Sequence, residues 1–233
     1  MINQVVLLAG GKGTRMRELT ETIPKPMVEI GKSPVLQHLI DIFENFNNFN
    51  YIIATGYKSE IIEKHFANTK NIKTVQTGEE TNTGGRVFKL ANLLDDKFIV
   101  TYGDGLANVN IEKLIEFHES HDKLGTVTVT NPVSRFGLVE FDSNFTVNKF
   151  IEKPKLDGYV NIGFMVFDKN FLEYLDEKST LETDPLMNLA KDGQLKAFIH
   201  NGYFEPMDTY REYVRLNELW QSGKPPWRNF NNI

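Results

Sequence analysis

The chain has 233 residues, 40% hydrophobic and 24% charged, the composition of an ordinary globular protein long enough to bury a sizeable core. Its formal net charge of -5 argues against a dedicated nucleic-acid binder, and the absence of cysteine excludes disulfides, thiolate metal sites and cysteine nucleophiles. No apolar stretch approaches the roughly 18 residues of a membrane span, and the amino end already reads as a core strand, so a cytoplasmic protein with no membrane partner is expected.

Val5-Val6-Leu7-Leu8 reads as a buried strand that breaks into Ala9-Gly10-Gly11-Lys12-Gly13-Thr14-Arg15. The glycines let the backbone turn sharply and approach a ligand, and their N–H groups suit phosphate oxygens. Arg15 adds a bidentate fork, and Lys25, within Pro24-Lys25-Pro26-Met27, a second positive charge. Two better-known glycine loops do not fit. Met16 stands where the dinucleotide fingerprint needs its third glycine, and Gly13 stands where the nucleoside-triphosphatase loop needs Ser or Thr. A tight strand-to-helix turn would explain the glycines alone. With Thr14, Arg15 and Lys25 in the same segment, a polyphosphate site is the better reading.

Helical spacing follows at Leu36, Leu39, Ile40 and Phe43, then strands at Tyr51 to Ala54 and Ile72 to Val75. Thr83-Gly84-Gly85-Arg86 opens a helix through Val87, Leu90, Ala91 and Leu94; glycines at a helix start suit anion or carbonyl recognition, or a simple cap. The strand Phe98 to Thr101 runs into Tyr102-Gly103-Asp104-Gly105, where Asp104 either presents a carboxylate to a metal or makes an ordinary Asp-Gly turn. Ile111, Leu114, Ile115 and His118 suggest another helix. This alternation predicts a mostly parallel sheet covered on both faces, with ligands at the carboxyl ends of its strands.

The second half changes to closely spaced strands at Thr126 to Thr130, Leu138 to Phe141, Val147 to Glu152 and Ile162 to Phe167. Helices are expected at Phe171 to Leu175, Pro185 to Ala190 and Thr209 to Trp220, with Asp208 or Thr209 available as a cap. Lys224-Pro225-Pro226-Trp227 should be irregular, and Asn229 to Ile233 should fray. No linker or repeat interrupts the chain, so residues 1–233 are read as one domain.

The ordered set Leu8 to Arg15, Pro24-Lys25-Pro26-Met27, Gly103-Asp104, Glu152-Lys153-Pro154, Asn161-Ile162-Gly163 and Asp208-Thr209 resembles the sugar-phosphate nucleotidylyltransferases over nearly the whole chain. Val28 to Gly31, Thr83 to Arg86, Arg135-Phe136-Gly137 and the end from Pro206 to Trp227 look most like the branch that joins CTP to glucose 1-phosphate. One departure is the short stretch Ala67 to Asn82, where that branch carries a longer segment. The resemblance implies a Rossmann-like α/β fold, with a mostly parallel mixed sheet and helices on both faces.

It also implies a reaction of CTP with a sugar 1-phosphate to give a CDP-sugar and pyrophosphate. An anionic phosphate oxygen attacks, so no general base is needed, and none of His38, His65, His118, His121 or His200 falls in a motif. Positioning and charge stabilisation carry such transfers. By resemblance, Leu8, Ala9, Gly10, Gly11, Gly13 and Thr14 hold the nucleotide, with Arg15 on the leaving phosphates. Lys25 bridges the two reacting phosphates, and Asp104 and Asp208 bind Mg2+. Thr83, Gly84 and Arg86 read the base or neighbouring groups, together with the Leu8–Gly10 backbone, Lys153 holds the sugar phosphate, and Gly137, Glu152 and Asn161 face the sugar. The expected partners are these two substrates, with no nucleic acid, and a homo-oligomer is expected. Another nucleotide or acceptor is the alternative within the same chemistry, and a non-catalytic nucleotide-binding module is the alternative outside it.

Overall fold

The computed structural model describes residues 2–230. The first half runs β1 (Gln4–Ala9), α1 (Arg17–Thr20), β2 (Glu29–Ile30), β3 (Ser33–Pro34), α2 (Val35–Glu44), β4 (Asn50–Thr55), α3 (Ser59–Phe66), β5 (Ile72–Gln76), α4 (Thr83–Lys89), β6 (Lys97–Tyr102), β7 (Gly105–Ala107) and α5 (Ile111–Glu119). The second half runs β8 (Gly125–Thr130), β9 (Leu138–Phe141), β10 (Val147–Ile151), β11 (Val160–Asn161), β12 (Met165–Asp168), α6 (Asp184–Lys191), β13 (Leu195–Ile199), β14 (Phe204–Pro206) and α7 (Tyr210–Gln221).

β1 is buried along its whole length and is the axis of the fold. Its side chains alternate: Val5, Leu7 and Ala9 join one apolar layer, Val6 and Leu8 the other. It pairs in parallel with β4 on one side and β6 on the other, and β4 pairs in parallel with β5. Beyond β6 comes β12, antiparallel to it, and then β8, which also carries β11 and, in parallel, β13. One eight-stranded sheet therefore takes strands from both halves of the chain. Helices α2, α3, α5 and α7 supply the first layer, with Trp227 fully buried in it, and α4 and α6 supply the second. This is the mostly parallel α/β sheet that the alternation of the first half predicts. No helix among the described residues is long and apolar enough to cross a membrane.

Several elements depart from expectation. The strand expected over Ile162 to Phe167 is split into β11 and β12, because Gly163 (φ +81) and Phe164 (φ +51) take left-handed conformations that break the ladder. The helix expected through Leu94 stops at Lys89 and continues as a 3-10 turn at Ala91–Leu93. The helix expected at Phe171 to Leu175 is a 3-10 turn at Lys169–Tyr174. Asn229 and Phe230 do not fray: the Asn229 carbonyl accepts a bond from Asn108 at 2.7 Å, and Phe230 packs edge-on against Phe46. The rest of that expected frayed end, residues 231–233, lies outside the described residues.

Candidate active site

A cleft of about 470 Å³ opens at the carboxyl ends of β1 and β6. Its floor begins where β1 stops. A side chain on Gly10 would collide with the Arg86 guanidinium, 2.0 Å from an ideal Cβ, so only glycine fits there. Gly13 (φ +61) then turns the loop back, with an ideal Cβ 2.8 Å from the stem of Lys25.

Lys25 follows in a 3-10 turn and is only 9% exposed. Its ammonium donates to Asp104 and, at 2.6 Å, to Asp208. Those carboxylates are far apart in sequence and meet through a short ladder. β7 pairs antiparallel with β14, Pro206 faces Gly105, and the Met207 amide donates to the Asp104 carbonyl at 2.9 Å. Arg15 reaches Asp208 from the far side at 3.1 Å. Burial opposes charge on Asp208, but the bonds to Lys25 and Arg15 outweigh it and hold this carboxyl below the ordinary carboxylate range. Across the mouth, Lys12 pairs with Glu80, which raises the pKa of the lysine and lowers that of the glutamate.

Arg86 lines the cleft, but its guanidinium is held by this chain. It is 3% exposed, and its guanidinium donates to the carbonyls of Thr55 (2.9 Å), Gly78 (2.8 Å) and Gly10 (3.0 Å) and to the Thr77 hydroxyl (2.7 Å). Burial lowers its pKa. It clamps the turns after β1, β4 and β5 together, with both terminal nitrogens engaged. Thr83 is likewise engaged, donating to Glu182 at 2.8 Å and accepting from the Leu181 amide at 2.9 Å. Gly84 and Gly85 do meet a carbonyl, but it belongs to this chain: Gly85 donates to Ser179 at 2.8 Å, and a Cβ on Gly84 would strike Ser179.

Of the residues singled out from sequence, Leu8, Ala9, Gly10, Gly11, Gly13, Thr14, Arg15, Lys25, Thr83, Arg86, Asp104 and Asp208 line one cleft. Gly84, Gly137, Glu152, Lys153 and Asn161 do not. Glu152 and Lys153 pair with each other at 3.5 Å on the exposed surface, and Gly137 is covered by Phe150. Asn161 accepts from the Gly163 amide at 3.0 Å and hydrogen-bonds Tyr102, whose pKa is raised by burial and by Glu182. Sequence reasoning missed Tyr102 and the wall formed by Glu79, Glu80, Thr81 and Asn82. Tyr102 was within reach, since it immediately precedes Gly103-Asp104.

Among the described residues, no group of three or more His, Asp or Glu side chains could hold a metal ion. Two carboxylates that converge on one ammonium do suit Mg2+, which binds one or two carboxylates and completes its shell with substrate phosphates and water.

The nucleotidyl transferase family model matches residues 4–220. Glucose-1-phosphate cytidylyltransferase of Salmonella typhi is 39% identical over 256 residues, covering 97% of this chain and 99% of that protein. The probable glucose-1-phosphate cytidylyltransferase of Bacillus subtilis is 35% identical over 252 residues, with the same coverage. Both alignments run longer than the 233 residues here, in keeping with a shortened segment in this chain. The crystal structure of HddC from Yersinia pseudotuberculosis superposes with a TM-score of 0.74 at 28% identity, covering 94% of this chain and all of that one. The same protein is also solved in complex with GMP-PN.

Proposed function

We propose, on the premise that the chain belongs to the nucleotidyl transferase family, that it transfers a cytidylyl group from CTP to glucose 1-phosphate, releasing pyrophosphate. The observation that carries this reading is the near-full-length identity to two cytidylyltransferases of that specificity. The geometry supports the chemistry. The Gly10–Arg15 loop offers amides and Arg15 to the triphosphate, and Lys25 stands where an incoming phosphate would meet it. Asp104 and Asp208 would hold Mg2+, which neutralises charge on the phosphates when bound. Lys25, which here pairs with both carboxylates, would screen the approach of the reacting phosphates.

The Gly10 carbonyl already accepts from Arg86 and from the Tyr57 amide, which fills its two lone pairs. Base reading is left to the remaining loop groups and to the wall at residues 79–83. A site matched to cytosine leaves a polar atom unpaired against uracil, at a cost of roughly 1–3 kcal/mol, or about tenfold to a hundredfold in selectivity. The test is pyrophosphate release with each nucleoside triphosphate against a set of sugar 1-phosphates. CTP with glucose 1-phosphate should give the highest kcat/KM, with UTP at least about tenfold behind. The GMP-PN complex of the 28% identical HddC motivates one rival reading, a guanylyl transferase. Equal or better use of GTP overturns the cytidylyl assignment.

A further inference from the structure

The first turn of α4 is docked on the segment that precedes α6. Asn82 donates to the Lys178 carbonyl at 3.3 Å, the Gly85 amide to the Ser179 carbonyl at 2.8 Å, and the Leu181 amide to the Thr83 hydroxyl at 2.9 Å. Glycine permits so close an approach: an ideal Cβ on Gly85 would lie 2.3 Å from the Glu177 carbonyl oxygen. Leu181 is fully buried and anchors the segment in the second apolar layer. Glu182, the next residue, thereby places its carboxylate between two groups of the cleft. One oxygen accepts from the Thr83 hydroxyl at 2.8 Å, the other from the Tyr102 hydroxyl. Thr83 and Tyr102 line the cleft, whereas Glu182 stands behind them.

A hydroxyl has one proton to give and two lone pairs with which to accept. An ionised carboxylate only accepts, so the Thr83 proton is committed to Glu182. The Leu181 amide occupies one lone pair, and the other is left for the cleft. Toward a ligand, Thr83 is therefore an acceptor and not a donor. The Tyr102 bond fixes the aim: with one carboxylate oxygen held from that side, the other cannot swing away from Thr83. Lys12, Arg15 and Lys25 bring positive charge to the cleft from the stretch after β1, while Thr81, Thr83 and Thr180 offer hydroxyls, which suit an uncharged base. We propose that Glu182 is the positioning residue that makes this site prefer an amino-bearing pyrimidine, by holding the Thr83 hydroxyl as an acceptor. This rests on the cytidylyl transfer proposed above and names how its base would be chosen. Cytosine carries an exocyclic amino group, a donor that the free lone pair of Thr83 can take. Uracil carries a carbonyl at the same place, and two acceptors would face each other with no proton between them.

The test compares CTP with UTP within each full-length variant, at a fixed concentration of one accepted sugar 1-phosphate. A merely structural loss would lower both nucleotides alike and leave their ratio unchanged. In Glu182→Gln the new carbonyl can still accept from Tyr102, but the new amide donates to Thr83 and frees the hydroxyl proton to turn into the cleft. The ratio of kcat/KM for CTP over that for UTP should fall at least about tenfold, with UTP used better than by the wild type. Thr83→Val keeps the shape without the hydroxyl and should lose the ratio by losing CTP rather than by gaining UTP. Thr83→Ser keeps the hydroxyl and should retain the ratio. Far-UV circular dichroism verifies folding. A folded Glu182→Gln with the wild-type ratio, or one that loses both nucleotides equally, overturns the proposal and leaves cytidylyl transfer standing. Should Glu182→Gln not fold, a Thr83→Val enzyme with the wild-type ratio overturns it equally. Wild type that prefers UTP or GTP to CTP overturns the cytidylyl reading, and this proposal with it.

Discussion

Lys25 satisfies two carboxylates at once, so its removal has two separable effects. Lys25→Met should lower kcat more than it weakens CTP binding if, as proposed, the ammonium acts where two phosphates meet, a contact strengthened in the transition state. Loss of CTP affinity at unchanged kcat would make Lys25 a nucleotide anchor instead. In the nucleotide-free protein the same variant should bind Mn2+ more tightly than wild type, by electron paramagnetic resonance titration, since the competing cation has gone. Weaker binding would show that the two carboxylates do not form a cation site. Asp104→Asn and Asp208→Asn should each cost on the order of 10²-fold or more in kcat. Near-normal turnover in both would remove the metal assignment. These candidates were legible in the sequence because each stands in a short motif, Lys25 between two prolines and Asp104 and Asp208 just past a strand. The task of Arg86 was not legible: it depends on carbonyls of Gly10, Thr55 and Gly78 converging from three different turns, and no local pattern announces that.

The start of α7 ties stability to the site. Glu212 reaches back to accept from the amides of Asp208 and Thr209, both at 2.9 Å, completing a capping box. Glu212→Ala should destabilise the protein by about 1 kcal/mol in urea unfolding. It should also lower kcat, because the backbone that aims Asp208 loses its tether. Unchanged kcat in a destabilised variant would confine Glu212 to capping. Elements were legible where the apolar period was strong, as in β1 and α2. α3 was not, since only Ile62 and Phe66 of its eight residues are buried. β13 was missed for the same reason: it is a half-exposed edge strand whose Leu195–Ile199 pattern carries little burial signal. The break between β11 and β12 was hidden because Phe164 adopts a left-handed conformation that its residue type does not advertise.

At the scale of the molecule, burial lowers the pKa of His38, His118, His121 and His200 below the ordinary 6.5. Above that value these groups are neutral in both folded and unfolded chains, and their contribution to stability is fully present. As pH falls from 6.5 toward the folded values, the unfolded chain takes up protons that the folded chain refuses, and stability is lost. Asp208, whose pKa is lowered from 3.8, adds its own loss only in stronger acid. Tm should therefore be lower at about pH 5.5 than at about pH 7.5, by scanning calorimetry, and a flat profile would contradict neutral burial of these imidazoles.

The β7–β14 ladder has a consequence for the order in which the protein comes into being. During synthesis the glycine loop, Lys25 and Asp104 leave the ribosome long before Asp208, which arrives only with the strand that closes the ladder. A growing chain thus carries most of the proposed triphosphate cradle while one of its two carboxylates is still unmade. The pairing of Pro206 with Gly105 brings the two carboxylates together, so the fold itself delays the meeting of Asp104 and Asp208 until the strand before Asp208 has been made.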